Sequence, residues 1–401
     1  MNRRTFIKVA AIGAVSLLTG CKTENILPES LDVKFLRQIV TKDSRSSRVI
    51  MWQADAEEKF LLEWRQVGEE SAHFSEVERR DLIYSCELKN LKAASLYNFR
   101  IISDGRATSW QNLRTAGDGA FQMLIFSDSQ CEHYEVWQRT ADAASLAYPD
   151  AELVTVNGDL VDNGEAAYQW RAWHLAATKL LTGRTFAPVM GNHECYGVNW
   201  LNSLPAGYLN QFALPDNGSK NFGGYFYSFD YGAAHFFILN TQFLELDDIK
   251  PGLQGTQEYW FRRDAAQVNR PWQIVFMHKD IYHYGRDDFD ADIADKFMEL
   301  FDELEIDLVF TGHLHTYRNR GKIFGRRKSA RGTMYILCGL AGDQKYLEPP
   351  SAIDEVSYKN LREEPPSYIA LDVSATEIHL TARTVDGELL DDFTLTKGTV
   401  S

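Results

Sequence analysis

Leu153-Val154-Thr155-Val156-Asn157-Gly158-Asp159-Leu160-Val161-Asp162 decides how this chain folds. Four apolar or β-branched residues form a run of strand length, and a glycine then lets the backbone turn sharply into two carboxylates. The arrangement recurs on both sides. Residues 121–126 run into Ser127-Asp128-Ser129-Gln130, and 187–190 into Gly191-Asn192-His193-Glu194. Residues 274–277 lead to His278, and 308–310 to Gly312-His313-Leu314-His315. Further strand-like runs lie at 236–240 and 334–337, and a strand pair at 368–373 and 377–384 closes the chain. Helical periodicity covers 135–147, 166–181, 257–268 and 293–304. Strands that alternate with helices give residues 119–401 an α/β fold. Polar clusters at the C-terminal ends of neighbouring strands then converge on one crevice.

The chemistry of those clusters is carboxylate, amide and imidazole, a donor set for iron, manganese or zinc and unlike a thiolate site. Two cations ~3.5–4 Å apart, bridged by a carboxylate that offsets their repulsion, can polarise a phosphoryl group and acidify a water. Solitary histidines such as His73, His174 and His379 read as ordinary surface or core residues. The long stretch 196–224, aromatic and rich in Gly, Asn and Pro, reads as a loop over the site.

Residues 33–118 have a different texture, with strand-like runs at 47–53, 60–67, 82–88 and 96–102 and almost no helical period. Leu88-Lys89-Asn90-Leu91 before Leu96-Tyr97-Asn98-Phe99 has the form of an immunoglobulin-type tyrosine corner. A small all-β sandwich of fibronectin type III character, structural in role, is expected there. Ahead of it, Arg3-Arg4-Thr5-Phe6-Ile7-Lys8 precedes an apolar run and Leu18-Thr19-Gly20-Cys21. This is the form of a twin-arginine export signal, residues 1–21, ending at a lipidation site on Cys21, with 22–32 as a tether. The apolar run is too short to span a bilayer core of ~30 Å. The expectation is an exported bacterial envelope protein, anchored in a membrane by lipid on Cys21. Loss of Arg3, Arg4 and Lys8 would take the formal charge from −14 to about −17. So acidic a surface excludes broad contact with nucleic acid. Cys86, Cys131, Cys195 and Cys338 form no C-x-x-C pair, and either disulfides or buried thiols fit their spacing.

The ordered series around Asp128, Asp159, Asn192, His278, His313 and His315 resembles the calcineurin-like metallophosphoesterases. Tyr225-Phe226-Tyr227-Ser228-Phe229-Asp230, Pro271-Trp272-Gln273-Ile274-Val275-Phe276-Met277-His278 and Gly312-His313-Leu314-His315-Thr316-Tyr317 look like the purple acid phosphatase branch. The resemblance implies a four-layer αββα metallophosphoesterase sandwich after the small all-β domain, and two metal ions. Asp128, Asp159 and His315 would hold the first, with Asp159 bridging to a second held by Asn192, His278 and His313. His193 would stand beside the leaving-group oxygen, and a metal-bound hydroxide would attack a phosphorylated small molecule. The family's tyrosine ligand is replaced by Asp162, so a colourless protein is expected, and Gln130 stands where most relatives have histidine. It could offer its amide oxygen or hold a metal-bound water. The family's substrate-facing histidines are replaced by Arg286-Asp287-Asp288, leaving His283, and less directly His133, as substitutes. Monoester hydrolysis leads, diester hydrolysis on the same site is the alternative, and a metal-poor surface binding lipoprotein is the alternative of another class.

Overall fold

The computed structural model describes residues 30–283, 288–345, 356–357 and 364–397. The signal, Cys21, most of the tether, Arg286 and Asp287 lie outside them.

Two sheets face each other across an apolar layer. The first contains the strands Phe121–Phe126, Leu153–Val156 and Thr185–Phe186, mutually parallel, with Ser367–Val373, Glu377–Thr384 and Leu389–Thr396 added antiparallel. At the heart of the second, Ala234–Ile238, Trp272–Phe276, Leu308–Thr311 and Thr333–Cys338 run parallel. Strand side chains alternate between faces. Met123, Ile125, Phe236, Ile274, Phe310 and Ile369 therefore meet between the sheets. Leu124, Phe126, Val154, Val275 and Val309 point outward under helices. Trp137 of the helix Glu135–Ala147 packs edge-on against Phe126, with centroids 5.1 Å apart. On the other side Phe261, in the helix Leu253–Ala265, packs on Phe237 at 4.7 Å. The order is helix, sheet, sheet, helix, a four-layer mixed α/β fold. Among the described residues no helix is long and apolar enough to cross a membrane.

The run expected as a strand at 187–190 departs from regular pairing. The strand is Thr185–Phe186, and only Ala187 and Val189 continue the N–H ladder, to Val154 and Val156. Donors alternate along a parallel strand, so Pro188, which has no N–H to give, leaves this side of the ladder intact. The stretch 196–224 also holds a short helix, Ala206–Gln211.

The N-terminal strands belong to two sheets. Leu61–Gln66, His73–Glu76, Leu96–Ser103, Arg106–Ala107 and Gln111–Arg114 form a separate five-stranded sheet. The strands Lys34–Ile39, Arg48–Gln53, Glu78–Arg80 and Ile83–Leu88 instead extend the first large sheet. Lys34–Ile39 lies parallel to Thr185–Phe186, with Gln38 opposite Thr185 and Ile39 opposite Phe186. A core of Ile50, Trp52, Leu62, Tyr84, Phe99 and Leu113 fills the space between the two sets. At the corner, the Tyr97 hydroxyl accepts a 2.8 Å hydrogen bond from the Lys92 N–H.

Candidate metal centre

The turns that leave four strands, together with the segment after Val189, carry the site. Asp128 follows Phe121–Phe126, Asp159 follows Leu153–Val156, and His278 follows Trp272–Phe276. His313 and His315 follow Leu308–Thr311. Four of these residues sit at positive φ: Asp128 at 50°, Asp159 at 49°, His313 at 74° and His315 at 54°. Residues other than glycine are uncommon in that region, aspartate and histidine less so than most, and such positions cluster where geometry is imposed for function. Gly158 (φ 86°) serves the same turn, and a Cβ there would overlap the His278 ring. A Cβ on Gly191 would overlap the Asp159 carboxylate.

Two overlapping sets of donors result. In one, Asp159, His278 and His313 bring ligand atoms within 4.8 Å of one another; in the other, Asp128, Asp159 and His315 do so. Asp159 is common to both. Asn192 joins the first set, its Oδ1 3.1 Å from His278 Nε2. Gln130 joins the second, its Nε2 3.4 Å from His315 Nε2. Apart from His313, all of these side chains are buried.

Hydrogen bonding fixes which ring nitrogens face inward. His278 Nδ1 lies 2.9 Å from the Asn157 carbonyl, and His315 Nδ1 bonds the Gln344 carbonyl. A carbonyl can only accept, so both Nδ1 atoms carry the proton and both Nε2 atoms point into the site. His278 Nε2 then faces Asp159 Oδ2 at 3.0 Å and Asn192 Oδ1 at 3.1 Å. His315 Nε2 faces Asp128 Oδ1 at 3.3 Å. At His278 acceptor meets acceptor, which only a cation or an extra proton satisfies, whereas the Gln130 amide NH₂ lies within reach of His315 Nε2. Buried Gln130 Oε1 and Asp159 Oδ2 accept no hydrogen bond. Without metal, a proton on His278 is the substitute. Burial pulls its pKa down, but the charge of Asp159 and its hydrogen bond, then Asp128, carry it up to about 9. Burial and the charge of His278 depress His313 to about 3. The residues fit two cations, on donor chemistry and on these orphaned oxygens alike.

His193 stands beside this cluster. Its backbone N–H donates to Asp159 Oδ1 at 2.9 Å, and Nε2 lies 3.9 Å from Asp159 Oδ2. Nδ1 donates to the Asp162 carbonyl at 2.7 Å, with the Asp162 carboxylate 3.5 Å away. Burial lowers the pKa of His193, yet the charge of Asp159 and the bond to Asp162 carry it above its ordinary value. Asp162 belongs to neither donor set; its side chain is turned toward His193. Tyr134 lies nearby, and burial holds its phenol protonated, its pKa well above the usual range.

Glu194 has a role that motif reading did not assign. Its carboxylate accepts from the backbone N–H groups of Asp159 (3.0 Å), Leu160 (2.8 Å), Val161 (3.3 Å) and Gly191 (2.7 Å). It thereby ties the turn bearing Asp159 to the turn bearing Asn192. Burial, then the charge of Asp159, push its pKa up to about 7. Its place after Gly191-Asn192-His193 was the available signal, but the role depends on the facing turn.

The other expected residues are spread out. His283 is part-exposed, 3.6 Å from Asp290, and lines a cavity of about 240 Å³ together with His313, Lys279 and Tyr282. His133 is exposed, and its N–H bonds Asp343. His174 is buried among Phe35, Trp173 and Phe212, and bonds Gln211. Cys86, Cys131, Cys195 and Cys338 are buried free thiols.

Residues 121–317 match the family model for calcineurin-like phosphoesterases. Purple acid phosphatase 23 of Arabidopsis thaliana is 27% identical over 52% of this chain and 43% of its own. An uncharacterized protein of Mycobacterium tuberculosis is 26% identical over 64% of this chain and 58% of its own. The chain thus spans about half the length of these curated relatives. Among solved structures, a purple acid phosphatase from yellow lupin (Lupinus luteus) seeds superposes with a TM-score of 0.77 at 16% identity. It covers 93% of this chain, and 76% of the lupin chain is matched. PhoD superposes at 0.66 with 12% identity, over 90% of each chain. Residues 121–317 are a calcineurin-like phosphoesterase domain, and in sequence and fold this chain resembles the purple acid phosphatases.

Proposed function

We propose that this chain is a two-metal phosphoesterase that hydrolyses phosphate monoesters outside the cytoplasm. The observation that carries the reading is the pair of donor sets sharing Asp159. A shared carboxylate keeps two cations close enough to act on one phosphoryl group. When bound, the metals would polarise the phosphoryl oxygens and acidify a water. The chain's own residues do the rest. Asp128, Gln130, Asp159 and His315 would hold one ion, and Asp159, Asn192, His278 and His313 the other. His193, kept basic by Asp159 and oriented through Nδ1 by the Asp162 carbonyl, presents Nε2 to the leaving-group oxygen and delivers a proton there. His283 lines the cavity next to His313 and is positioned to meet substrate. A diester is the second reading, because the Asp162 carboxylate beside His193 would repel a doubly charged monoester more than a singly charged diester.

The test is metal content together with hydrolysis of an aryl monoester and an aryl diester, on native protein and on Asp159→Ala. Close to two metals per chain, and activity abolished in the variant, are expected. Fewer than one metal after loading with manganese, zinc and iron, and no turnover, would leave a metal-poor binding protein as the better account. His193→Asn should keep its metals and lose about 10²- to 10⁴-fold in kcat. Export and lipidation at Cys21 rest on the sequence of residues 1–21. Detergent partitioning of the mature protein, lost in Cys21→Ala, would support them.

A further inference from the structure

Trp200 is 56% exposed, a costly place for the largest side chain. Its backbone φ is 63°, in a region that bulky residues avoid. A tight turn holds it there. The Trp200 N–H donates to the Gly197 carbonyl at 2.8 Å, and the Gly197 N–H to the Leu201 carbonyl at 2.9 Å. Asn163 Nδ2 donates to the same Gly197 carbonyl at 2.6 Å. Strain and exposed apolar surface both oppose folding, so the position of the indole is held by the surrounding turn for another reason.

That position adjoins His193. The Trp200 ring centroid lies 6.1 Å from the imidazole, edge-on at 89°. Tyr196 lies 5.5 Å from His193 and 6.2 Å from Trp200. Val198 and Leu201, both exposed, flank the indole in the same turn. On the phosphoesterase reading, the donor sets would place the phosphoryl group and His193 would face the departing oxygen. Trp200 therefore borders the alcohol part of the ester. An indole face offers dispersion and stacking to a flat ring, and sequence-tolerant stacking suits any aromatic system. Asp162 and Glu165 are close by in the same region, so additional negative charge on that alcohol would be disfavoured.

We propose that Trp200, supported by Tyr196, is a leaving-group subsite that selects phosphate esters whose alcohol carries a flat aromatic ring. The inference rests on the phosphoesterase reading and narrows its substrate class. The ring could be a nucleobase or a simple aryl group, and matched substrate pairs separate the two. Adenosine 5′-monophosphate and ribose 5-phosphate share one scissile bond, as benzyl and ethyl phosphate nearly do. In the metal-loaded native protein, kcat/KM should favour the ring-bearing member of at least one pair by about 10-fold, the size of one stacking contact. The pair that discriminates identifies the ring. Trp200→Ala should bring that ratio close to one, and Trp200→Phe should retain part of it. Binding of benzylphosphonate against ethylphosphonate, neither of which can be hydrolysed, should show the same preference without turnover. A native ratio near one for both pairs, or a ratio unchanged in Trp200→Ala, overturns the subsite. Unchanged ratios with weakened binding to phosphatidylglycerol vesicles would make Trp200 a membrane contact and overturn it likewise. Preferential benzylphosphonate binding without hydrolysis of any ester would support the ring subsite and sink the hydrolase reading.

Discussion

Replacing Glu194 by glutamine would change little in shape and much in hydrogen bonding. Both carboxylate oxygens accept backbone N–H bonds, and an amide would turn its NH₂ toward two of those donors. Loss of about 2 kcal/mol in urea unfolding of the metal-free protein is expected, the scale of hydrogen bonds to a charged group. Metal affinity, read by chelator competition, should fall about 10- to 100-fold, as for other residues that orient ligands. Unchanged affinity would show that the two turns hold without the clamp. Asp162 carries a second prediction at this scale. Asp162 stands where the family's tyrosine ligand would be, and burial keeps the nearby Tyr134 phenol protonated. Loaded with ferric iron, the protein should lack a visible tyrosinate charge-transfer band. Asp162→Asn should retain the metal content of the native protein, because its carboxylate faces His193.

At the scale of elements, side chains staple strands, helices and loops together. His235, in the strand Ala234–Ile238, lies 2.7 Å from Asp230 on the neighbouring strand and 3.2 Å from Asp264 on the helix Leu253–Ala265. Arg270 also reaches Asp230, at 3.2 Å. Burial lowers the His235 pKa, but the bonds to Asp230 and Asp264 raise it above its ordinary 6.5. Below pH 6.5 the imidazolium is paired in full, and as pH rises through the raised folded value the proton leaves and that stability is lost. The difference in unfolding free energy between native protein and His235→Gln should be about 2 kcal/mol near pH 6 and shrink at alkaline pH. A difference that does not vary with pH would mean that the staple works by packing alone. The loop bearing Tyr196 and Trp200 has its own fastening farther along. Buried Arg37 donates to the Gln211 carbonyl through Nε at 3.0 Å and Nη2 at 2.6 Å. Arg37→Met should raise KM for ring-bearing esters more than for ethyl phosphate, since it loosens the loop without touching the metals.

For the whole molecule, the β-rich N-terminal segment and the phosphoesterase domain are joined through one sheet. Ile39, Val49 and Met51 share an apolar cluster with Trp173, Leu180 and Phe186, and Val40 lies in the layer between the large sheets. Burial of such side chains stabilises by about 1.5–3 kcal/mol each, against a total stability of about 5–15 kcal/mol for a domain. Removal of residues 33–118 would also uncover the edge at Thr185–Phe186. A chain of residues 119–401 should therefore aggregate or lack a cooperative urea transition, while the full chain unfolds in one. Independent, reversible folding of the fragment would show that the shared sheet is incidental.

Local sequence determined much of this protein. The helix expected at 135–147 spans those residues, and the strands after which Asp128, Asp159, His278 and His313 follow lie close to where apolar runs place them. These readings hold because strand and helix periods, and the turns that glycine permits, are short-range properties. One strand is shorter than the apolar run at 187–190 suggests, and one strand has no reading in the sequence. The regular strand is Thr185–Phe186, with Ala187 and Val189 continuing its ladder, and Leu389–Thr396, interrupted by Asp391 and Asp392, joins the sheet along the edge of Glu377–Thr384. Other features depend on partners remote in sequence. Glu194 became a clamp because its turn faces that of Asp159, Asp162 turned toward His193, and Trp200 came to stand beside that imidazole. The parallel pairing of Gln38 with Thr185 is likewise decided by tertiary packing. Residue type and spacing supply the donors; which donors converge, and what borders them, is set by how two sheets pack face to face.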